Sequence, residues 1–173
     1  MDITAKKEVK RIKAEMRKRF RAEREFLVVE SDWQHLLATQ EISQAKVVAT
    51  YVSYGFEPDT KVLNQELQRI GKTVLTPHML EDKDLEWHTS DGTVFNGEID
   101  VVIMPALHID RNGNRLGQGG GSYDRALART KAWRVALVYP GELSSEEVPH
   151  EPHDQKVNAA ATAEILVRFT SQS

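Results

Sequence analysis

The sequence predicts an α/β fold with three layers, in which helices cover both faces of a largely parallel sheet. Two observations lead to this fold class. Short β-branched segments alternate with segments of helical periodicity, and the β-branched segments contain apolar runs that are typical of strands buried on both faces. The 173 residues contain no repeat, low-complexity tract or linker, so we expect a single domain over residues 1–173.

The first predicted element is a long amphipathic helix. Its apolar residues recur at helical spacing and form one stripe, comprising Val9, Ile12, Met16, Phe20 and Leu27. At about 100° per residue, Lys13, Arg17 and Arg24 lie within about 40° of each other and flank that stripe. Residues 6–25 contain ten Lys and Arg against four Asp and Glu. This excess of positive charge allows three interpretations. The basic residues form a solvated helix face, their alkyl chains cover the edge of the core, or they form a binding site for anions.

The remaining elements follow from apolar runs and from the residues that interrupt them. Helices are predicted over about 31–41, 60–70 and 123–133, with Gly71 ending the second of these. Strands are predicted over 47–52, 73–76, 85–89, 100–104, 134–139 and 164–169, with Pro77 and Pro105 as stops. Residues 170–173 resemble a frayed tail.

The composition excludes several classes of protein. The net charge of −3 argues against a general nucleic-acid coat protein. The lack of cysteine excludes a disulfide framework, a thiolate zinc site and a cysteine nucleophile. No apolar run approaches the ~18 residues of a membrane span, and the N-terminus lacks the apolar core of a signal peptide. We expect a cytoplasmic monomer that acts on small molecules and binds neither nucleic acid nor membrane.

A glycine-rich segment carries the clearest chemical signal. Residues 115–125 read RLGQGGGSYDR, and the glycines among residues 117–121, here called the glycine loop, precede a predicted helix. Glycine lets the backbone approach an anion closely, and a helix start supplies unpaired N–H groups. Ser122 is expected to cap the helix, with Asp124 in its first turn. The segment is neither a Walker A nor a Rossmann motif; Arg115 and Arg125 favour phosphate binding over a plain tight turn.

A second candidate region is acidic. Residues 142–154 contain five acidic residues and no Lys or Arg, so a cation could bind there, although a solvated loop is the commoner cause. His150 and His153 without nearby thiolates make a weak transition-metal site. His78 and His108 are expected at the surface or the edge of the core.

Residues 105–110 (PALHID) and 112–125 (NGNRLGQGGGSYDR) resemble the signature of 5-formyltetrahydrofolate cyclo-ligases. Three further segments occur in the family's order. Residues 13–17 with Arg24 resemble its N-terminal Lys-x-x-Leu-Arg, residues 51–60 its Tyr-Val-Ser…Glu-x-Asp-Thr loop, and residues 149–154 its His-Asp loop. The resemblance spans most of the chain.

The resemblance implies an ATP- and Mg²⁺-dependent enzyme that converts 5-formyltetrahydrofolate to 5,10-methenyltetrahydrofolate, with release of ADP and phosphate. It implies no protein nucleophile. The implied ATP-binding residues are Lys13, Arg17, Arg115, Leu116, Gly117, Gln118, Gly119, Gly120, Gly121, Ser122 and Tyr123. The implied substrate-binding residues are Glu57, which matches the family's pterin carboxylate, Gln118 and Tyr123, and the implied Mg²⁺ ligands are Asp124 and Asp154.

Two departures from the family concern the folate side of the site. The segment 89–99 is shorter than in most relatives, which removes part of a wall for which Trp87 and Phe95 could substitute. Gln118 and Ser122 replace a basic or aromatic residue and a tyrosine. We therefore expect normal ATP binding and weaker folate binding. Two alternatives stay open: a relative that binds nucleotide or folate without turnover, and an ATP-dependent enzyme for another N-formyl or amide substrate.

Overall fold

The computed structural model describes residues 1–170, so the predicted tail lies almost entirely outside the described residues. Within this range, seven strands form one sheet in the order β3-β2-β1-β4-β7-β8-β9. Their bounds are β1 Val47–Ala49, β2 Thr73–Met79, β3 Leu85–His88, β4 Val101–Pro105, β7 Trp133–Leu137, β8 Ala159–Ala161 and β9 Leu166–Arg168. A separate antiparallel hairpin pairs β5, His108–Ile109, with β6, Arg115–Leu116.

The sheet is largely parallel, as predicted. Strands β2, β1, β4, β7 and β8 pair in parallel, and each edge strand, β3 or β9, pairs antiparallel to its neighbour. The helices are α1 Ile3–Glu23, α2 Gln34–Leu37, α3 Gln40–Gln44, α4 Lys61–Arg69 and α5 Ser122–Ala128. Single 3₁₀ turns follow at Arg24–Phe26 and Pro140–Glu142.

Helices cover both faces of the sheet, which confirms the three-layer architecture. Because neighbouring strand residues point to opposite faces, Val48 and Ile103 pack with α2, α3 and α4, whereas Ala49 and Met104 pack with α5. Helix α1 lies outside both layers. Its buried residue Phe20 joins a small separate cluster on the β5–β6 hairpin, formed with Met16, Leu107, Leu116 and Val148.

The predicted helix over 31–41 is divided into α2 and α3. Trp33 adopts a left-handed conformation with φ 57° and donates its indole N–H to the carbonyl of Asp59 at 2.9 Å, so α2 begins only at Gln34. Thr39 then interrupts the helix because its hydroxyl caps α3, accepting from the N–H of Ile42 at 3.3 Å. Local capping chemistry here overrides the apolar periodicity.

Strand β2 does not stop at Pro77 but continues to Met79. Beyond Leu75 the strand has only β3 as a paired neighbour, and a proline is tolerated where one side of a strand makes no ladder. Strand β8 was not predicted because its three alanines have low strand propensity. Helix α5 ends at Ala128, well before Trp133, which already belongs to β7.

The topology brings the candidate functional segments together. The carboxyl ends of parallel strands lie at one edge of a sheet, which is where α/β proteins bind ligands. The segment after β1 contains Glu57, the segment after β4 contains the β5–β6 hairpin and the glycine loop, and the segment after β7 is the acidic region. No helix within residues 1–170 is long and apolar enough to cross a membrane.

Candidate active site

A cleft of about 1080 Å³ opens at the carboxyl edge of the sheet, beside α1 and the glycine loop. It is lined by all residues of the predicted ATP set, from Lys13 and Arg17 on α1 to residues 115–123, and by the predicted metal ligands Asp124 and Asp154. The structure therefore brings these distant segments into one site. Lys10, Arg125 and Glu151 also line it, although sequence reasoning assigned no cleft role to Lys10 or Glu151.

The glycine loop presents an unpaired backbone. Within residues 1–170, no backbone N–H of residues 117–121 donates a hydrogen bond. Gly119 and Gly121 adopt φ values of 108° and 73°, which L side chains rarely adopt. At Gly117 a Cβ atom would lie 2.8 Å from the guanidinium of Arg115. The loop is thus a run of free N–H donors, held in a conformation that only glycine allows at two positions.

Helix α5 begins directly after this loop. Gly121 is its N-cap residue, so the expected capping role of Ser122 is wrong. The Ser122 hydroxyl is instead buried with no hydrogen-bond partner. A buried unpartnered hydroxyl is costly in a folded protein, and this one belongs to a residue that lines the cleft. A ligand in the cleft could satisfy it.

Arginines hold the carbonyl oxygens of the same loop. Arg17 donates from Nε to the carbonyl of Gly117 at 2.8 Å, and Arg125 donates to the carbonyl of Gly120 at 2.9 Å. Arg21 bonds both the side chain and the carbonyl of Gln118. Sequence reasoning missed Arg21, although its position four residues after Arg17 on the same helix could have indicated it.

Lys13, a predicted ATP-binding residue, contacts Asp154, a predicted Mg²⁺ ligand. Lys13 is buried, its Nζ is hydrogen-bonded to Asp154 Oδ2 and lies 3.8 Å from Glu151 Oε1. The N–H of Glu151 donates to Asp154 at 2.9 Å. Burial alone would raise the pKa of Asp154, but the hydrogen bonds from Lys13 and from the Glu151 backbone lower it below its usual range. Asp154 is therefore held as an anion against a buried cation.

Asp124 lies close to that pair. Its Oδ1 accepts from the N–H of Gln155 at 2.9 Å, and Gln155 directly follows Asp154. Over residues 1–170 no group of three or more His, Cys, Asp and Glu side chains has a metal-binding arrangement. Two carboxylates nevertheless fit Mg²⁺, which commonly uses one or two protein carboxylates together with substrate phosphates and water.

Arg115 supplies a further cation beside the loop. Its Nη1 donates to the carbonyl of Pro105 at 3.0 Å, and its guanidinium lies 5.3 Å from the ring centroid of Tyr123. Its Nε is buried without a partner. Burial lowers the pKa of Arg115, although an arginine stays charged at neutral pH. A partly buried cation whose Nε has no hydrogen-bond partner favours an anionic ligand at this place.

The structure does not place Glu57 in the lining of this cleft. Glu57 lies on the loop after β1, where its Oε1 accepts from the N–H of Tyr54 at 2.8 Å, and burial raises its pKa. The neighbouring carbonyl of Phe56 accepts from the hydroxyl of Tyr139 at 2.6 Å. Of the predicted substrate-binding residues, only Gln118 and Tyr123 line the cleft.

A buried ion pair lies beside the ring of Tyr139. The guanidinium of Arg24 lies 5.5 Å from the Tyr139 ring centroid. Arg24 also binds Glu142 through two hydrogen bonds of 2.9 and 2.8 Å, and it donates to the carbonyl of Ala106. Sequence reasoning placed Arg24 where the helix meets the protein body, which the structure confirms, but it did not identify Glu142 as the partner.

Trp87 and Phe95 do not line this cleft. Both line a second cavity of about 910 Å³, which also borders Asp100 and Ala132 at the amino-terminal ends of β4 and β7. Trp87 contributes to the main cleft only indirectly, through an edge contact with Tyr123 at 6.3 Å between ring centroids. The lining of the main cleft therefore gives no support to a substitution of the shortened segment by these two aromatics.

His108 and His78, for which the sequence predicted a position at the surface or the edge of the core, differ in burial. His108 is fully buried and stacks on Phe20 at 4.7 Å between centroids, so the expectation of a surface or core-edge residue is wrong. The Glu146 carbonyl lies 2.8 Å from its Nε2, which fixes the ring. His78 is exposed and stacks on His88 at 5.0 Å between ring centroids, as expected for a surface residue.

Comparison with known proteins decides the family. The model of the 5-formyltetrahydrofolate cyclo-ligase family matches residues 3–93 and 90–163, which is nearly the whole chain. This chain belongs to the 5-formyltetrahydrofolate cyclo-ligase family. The prediction of this family, and with it of an ATP-dependent ligase, is confirmed.

Individual cyclo-ligases agree with this assignment. The 5-formyltetrahydrofolate cyclo-ligase of Mycolicibacterium smegmatis is 36% identical over 135 residues, covering 63% of this chain and 69% of that protein. The Escherichia coli K12 protein of the same name is 30% identical over 146 residues, covering 70% of this chain and 80% of that protein. The solution structure of Aquifex aeolicus 5,10-methenyltetrahydrofolate synthetase has the same fold, with a TM-score of 0.78 at 23% identity over 94% of this chain and 95% of that one.

Proposed function

We propose that this chain uses ATP to close the formyl group of 5-formyltetrahydrofolate onto N10, giving 5,10-methenyltetrahydrofolate, ADP and phosphate. The γ-phosphoryl group passes to the formyl oxygen, N10 attacks the formyl carbon and loses its proton, and the oxygen departs with phosphate. The observation that carries the proposal is the run of unpaired N–H groups over residues 117–121 in a cleft rich in cations. Such a run is suited to phosphate oxygens.

The remaining residues of the cleft support phosphoryl transfer. This reaction depends on positioning and on positive charge around the phosphates more than on a protein nucleophile. Lys13 and Arg17 provide that charge from α1, and the free Nε of Arg115 provides it from beneath the loop. The unpartnered hydroxyl of Ser122 is a further donor for the nucleotide.

Asp124 and Asp154 are the residues that we propose to hold Mg²⁺. The hydrogen bond from Gln155 to Asp124 keeps the two carboxylates near each other at the end of the cleft. The ion, when bound, would offset negative charge on the ATP phosphates. Lys13 is hydrogen-bonded to Asp154, so a residue that would hold the ion and a residue that would bind a phosphate lie side by side.

For the folate we propose Glu57, with Gln118 and Tyr123 at the border between the two substrates. Tyr123 lies between Arg115 and Trp87, which fixes its ring at the cleft. Glu57 lies outside the cleft lining, and the exposed aromatics Tyr54 and Phe56 flank it on its loop. A pterin seated at Glu57 would therefore lie at the rim, which supports weaker folate binding than in longer relatives.

We also propose that the chain works as a single-domain monomer in the cytoplasm, on small molecules and without nucleic acid or membrane. The net charge of −3 supports the part of this proposal that concerns nucleic acid.

An activity assay tests the proposal and separates its alternatives. Purified protein is incubated with ATP, MgCl₂ and 5-formyltetrahydrofolate, while the methenyl product is followed by absorbance and ADP is measured in parallel. Equal amounts of both products support the proposed function. ATP binding without either product indicates a non-catalytic relative, and ADP formed only with another N-formyl or amide compound indicates a different substrate.

A further inference from the structure

We propose that Arg21 is a positioning residue, which holds Gln118 and thereby the glycine loop in the conformation that binds ATP. The inference rests on the proposed function of the loop. Arg21 does not line the cleft, although Gln118 does, so an effect of Arg21 on ATP must pass through the loop. Because Arg21 projects from α1, it links the helix that carries Lys13 and Arg17 to the middle of the loop.

Three hydrogen bonds connect Arg21 with Gln118. Nε donates to Oε1 at 2.9 Å, and Nη2 donates to Oε1 at 2.6 Å and to the carbonyl oxygen at 3.1 Å. The guanidinium thus binds both the side chain and the backbone of Gln118. It does so with a planar set of donors that a lysine lacks. A basic residue that only solvated the helix face would make no such set of contacts.

The hydrogen bond from Arg21 to the carbonyl of Gln118 also orients the N–H group of Gly119. A trans peptide unit is planar, and its C=O and N–H point in opposite directions. Arg21 holds the carbonyl of Gln118, so the N–H of Gly119 is directed to the other side of the loop. In the same way, Arg17 orients the peptide unit between Gly117 and Gln118 through the carbonyl of Gly117. Arg125 orients the unit between Gly120 and Gly121 through the carbonyl of Gly120.

The loop needs such external support. Within residues 1–170 its own N–H groups make no hydrogen bonds, and glycine has the largest backbone entropy to lose on ordering. A free loop would lose that entropy when ATP binds, at the expense of affinity. The contacts of Arg21 already restrict the loop before ATP binds, so less entropy is lost on binding. Both Arg21 and Gln118 are exposed, so the expected effect is moderate.

The test compares Arg21→Ala with Lys18→Ala. Lys18 lies three residues earlier on α1, is exposed and makes no hydrogen bond or ion pair within residues 1–170, so both variants remove one positive charge from the same surface. The dissociation constant of ATP is measured by calorimetry and KM for each substrate by turnover. We expect Arg21→Ala to raise the dissociation constant and KM for ATP roughly three- to tenfold, with KM for the folate nearly unchanged and Lys18→Ala like the wild type.

Two more variants separate positioning from charge. Arg21→Lys keeps the charge without the planar set of donors, so it should recover only part of the ATP affinity. In a Gln118→Ala background, Arg21→Ala should weaken ATP binding less than it does alone. Equal effects of Arg21→Ala and Lys18→Ala, or full recovery in Arg21→Lys, overturn the proposal. Wild-type protein that binds ATP without forming product overturns the proposed function, yet the binding comparison still decides the role of Arg21; no ATP binding overturns both.

Discussion

Replacing Gly119 with alanine should weaken ATP binding far more than the same change at the neighbouring Gly120. Gly119 has φ 108°, and a Cβ atom there would lie 3.3 Å from Cζ of Arg17. At Gly120 the nearest atoms to a Cβ are those of Ser122 and Lys83, at 3.6 and 3.7 Å, which is ordinary contact. The two variants therefore add the same methyl group to the same loop with different consequences.

The magnitude follows from backbone strain. A non-glycine residue held in a sparsely populated region costs about 1–3 kcal/mol, and about 1.4 kcal/mol corresponds to a factor of ten in affinity. In Gly119→Ala the free loop relieves this strain by leaving the conformation, and ATP binding restores it, so the dissociation constant of ATP should rise about 5- to 150-fold. Displacement of Arg17 adds to this, because Arg17 must move while it holds the carbonyl of Gly117 at 2.8 Å.

Calorimetric titration with ATP measures the effect, and thermal unfolding of both variants shows that the domain stays folded. Gly120→Ala should bind ATP within a few-fold of the wild type. Equal affinities of the two variants, or weaker binding by Gly120→Ala, would refute the reasoning, since the conformation of Gly119 would then be irrelevant to the bound loop.

Three further predictions concern the metal, the folate and the buried ion pair. Asp124→Asn and Asp154→Asn should each abolish Mg²⁺-dependent turnover in a folded protein, as checked by product formation and thermal unfolding. Because burial raises the pKa of Glu57, its carboxylate is lost at a higher pH than that of an ordinary glutamate. KM for the folate should therefore rise as the pH is lowered, whereas Glu57→Gln should start from a higher KM and show a flatter pH profile. Arg24→Met leaves Glu142 buried and unpaired, which costs about 3–5 kcal/mol and lowers Tm by about 6–20 °C, whereas Arg24→Met with Glu142→Leu should unfold at a higher temperature than the single variant.

Most of the fold could be predicted because it depends on local apolar pattern. The valine-rich segments at β1 and β4 and the amphipathic helix α4 are encoded in short stretches of sequence. Strand β8 could not be predicted in this way, because Ala159–Ala161 forms a strand only through pairing with β7 and β9. The late start of α2 could not be predicted either, since it depends on a tertiary contact of Trp33.

The candidate site was predictable to the extent that its residues are adjacent in sequence. The glycine loop and Asp124 form one short segment, and their place at a helix start follows from that segment alone. The pairings that complete the site join distant residues, such as Lys13 with Asp154 and Arg24 with Glu142. Neither composition nor periodicity identifies which carboxylate a given cation meets, because the three-dimensional fold decides this.

The positive charge of α1 has a more specific origin than solvation. Lys13, Arg17, Arg21 and Arg24 follow one another at spacings of four, four and three residues, which places them on one face of the helix. Each meets a different partner at the carboxyl edge of the sheet: Asp154, the carbonyl of Gly117, Gln118 and Glu142. Lys6, Lys7, Arg11 and Lys18 on the same helix are exposed, so the solvated-face interpretation applies to those residues. One helix thus carries both kinds of basic residue, and the basic stripe beside the apolar one is the part that assembles the candidate ATP site.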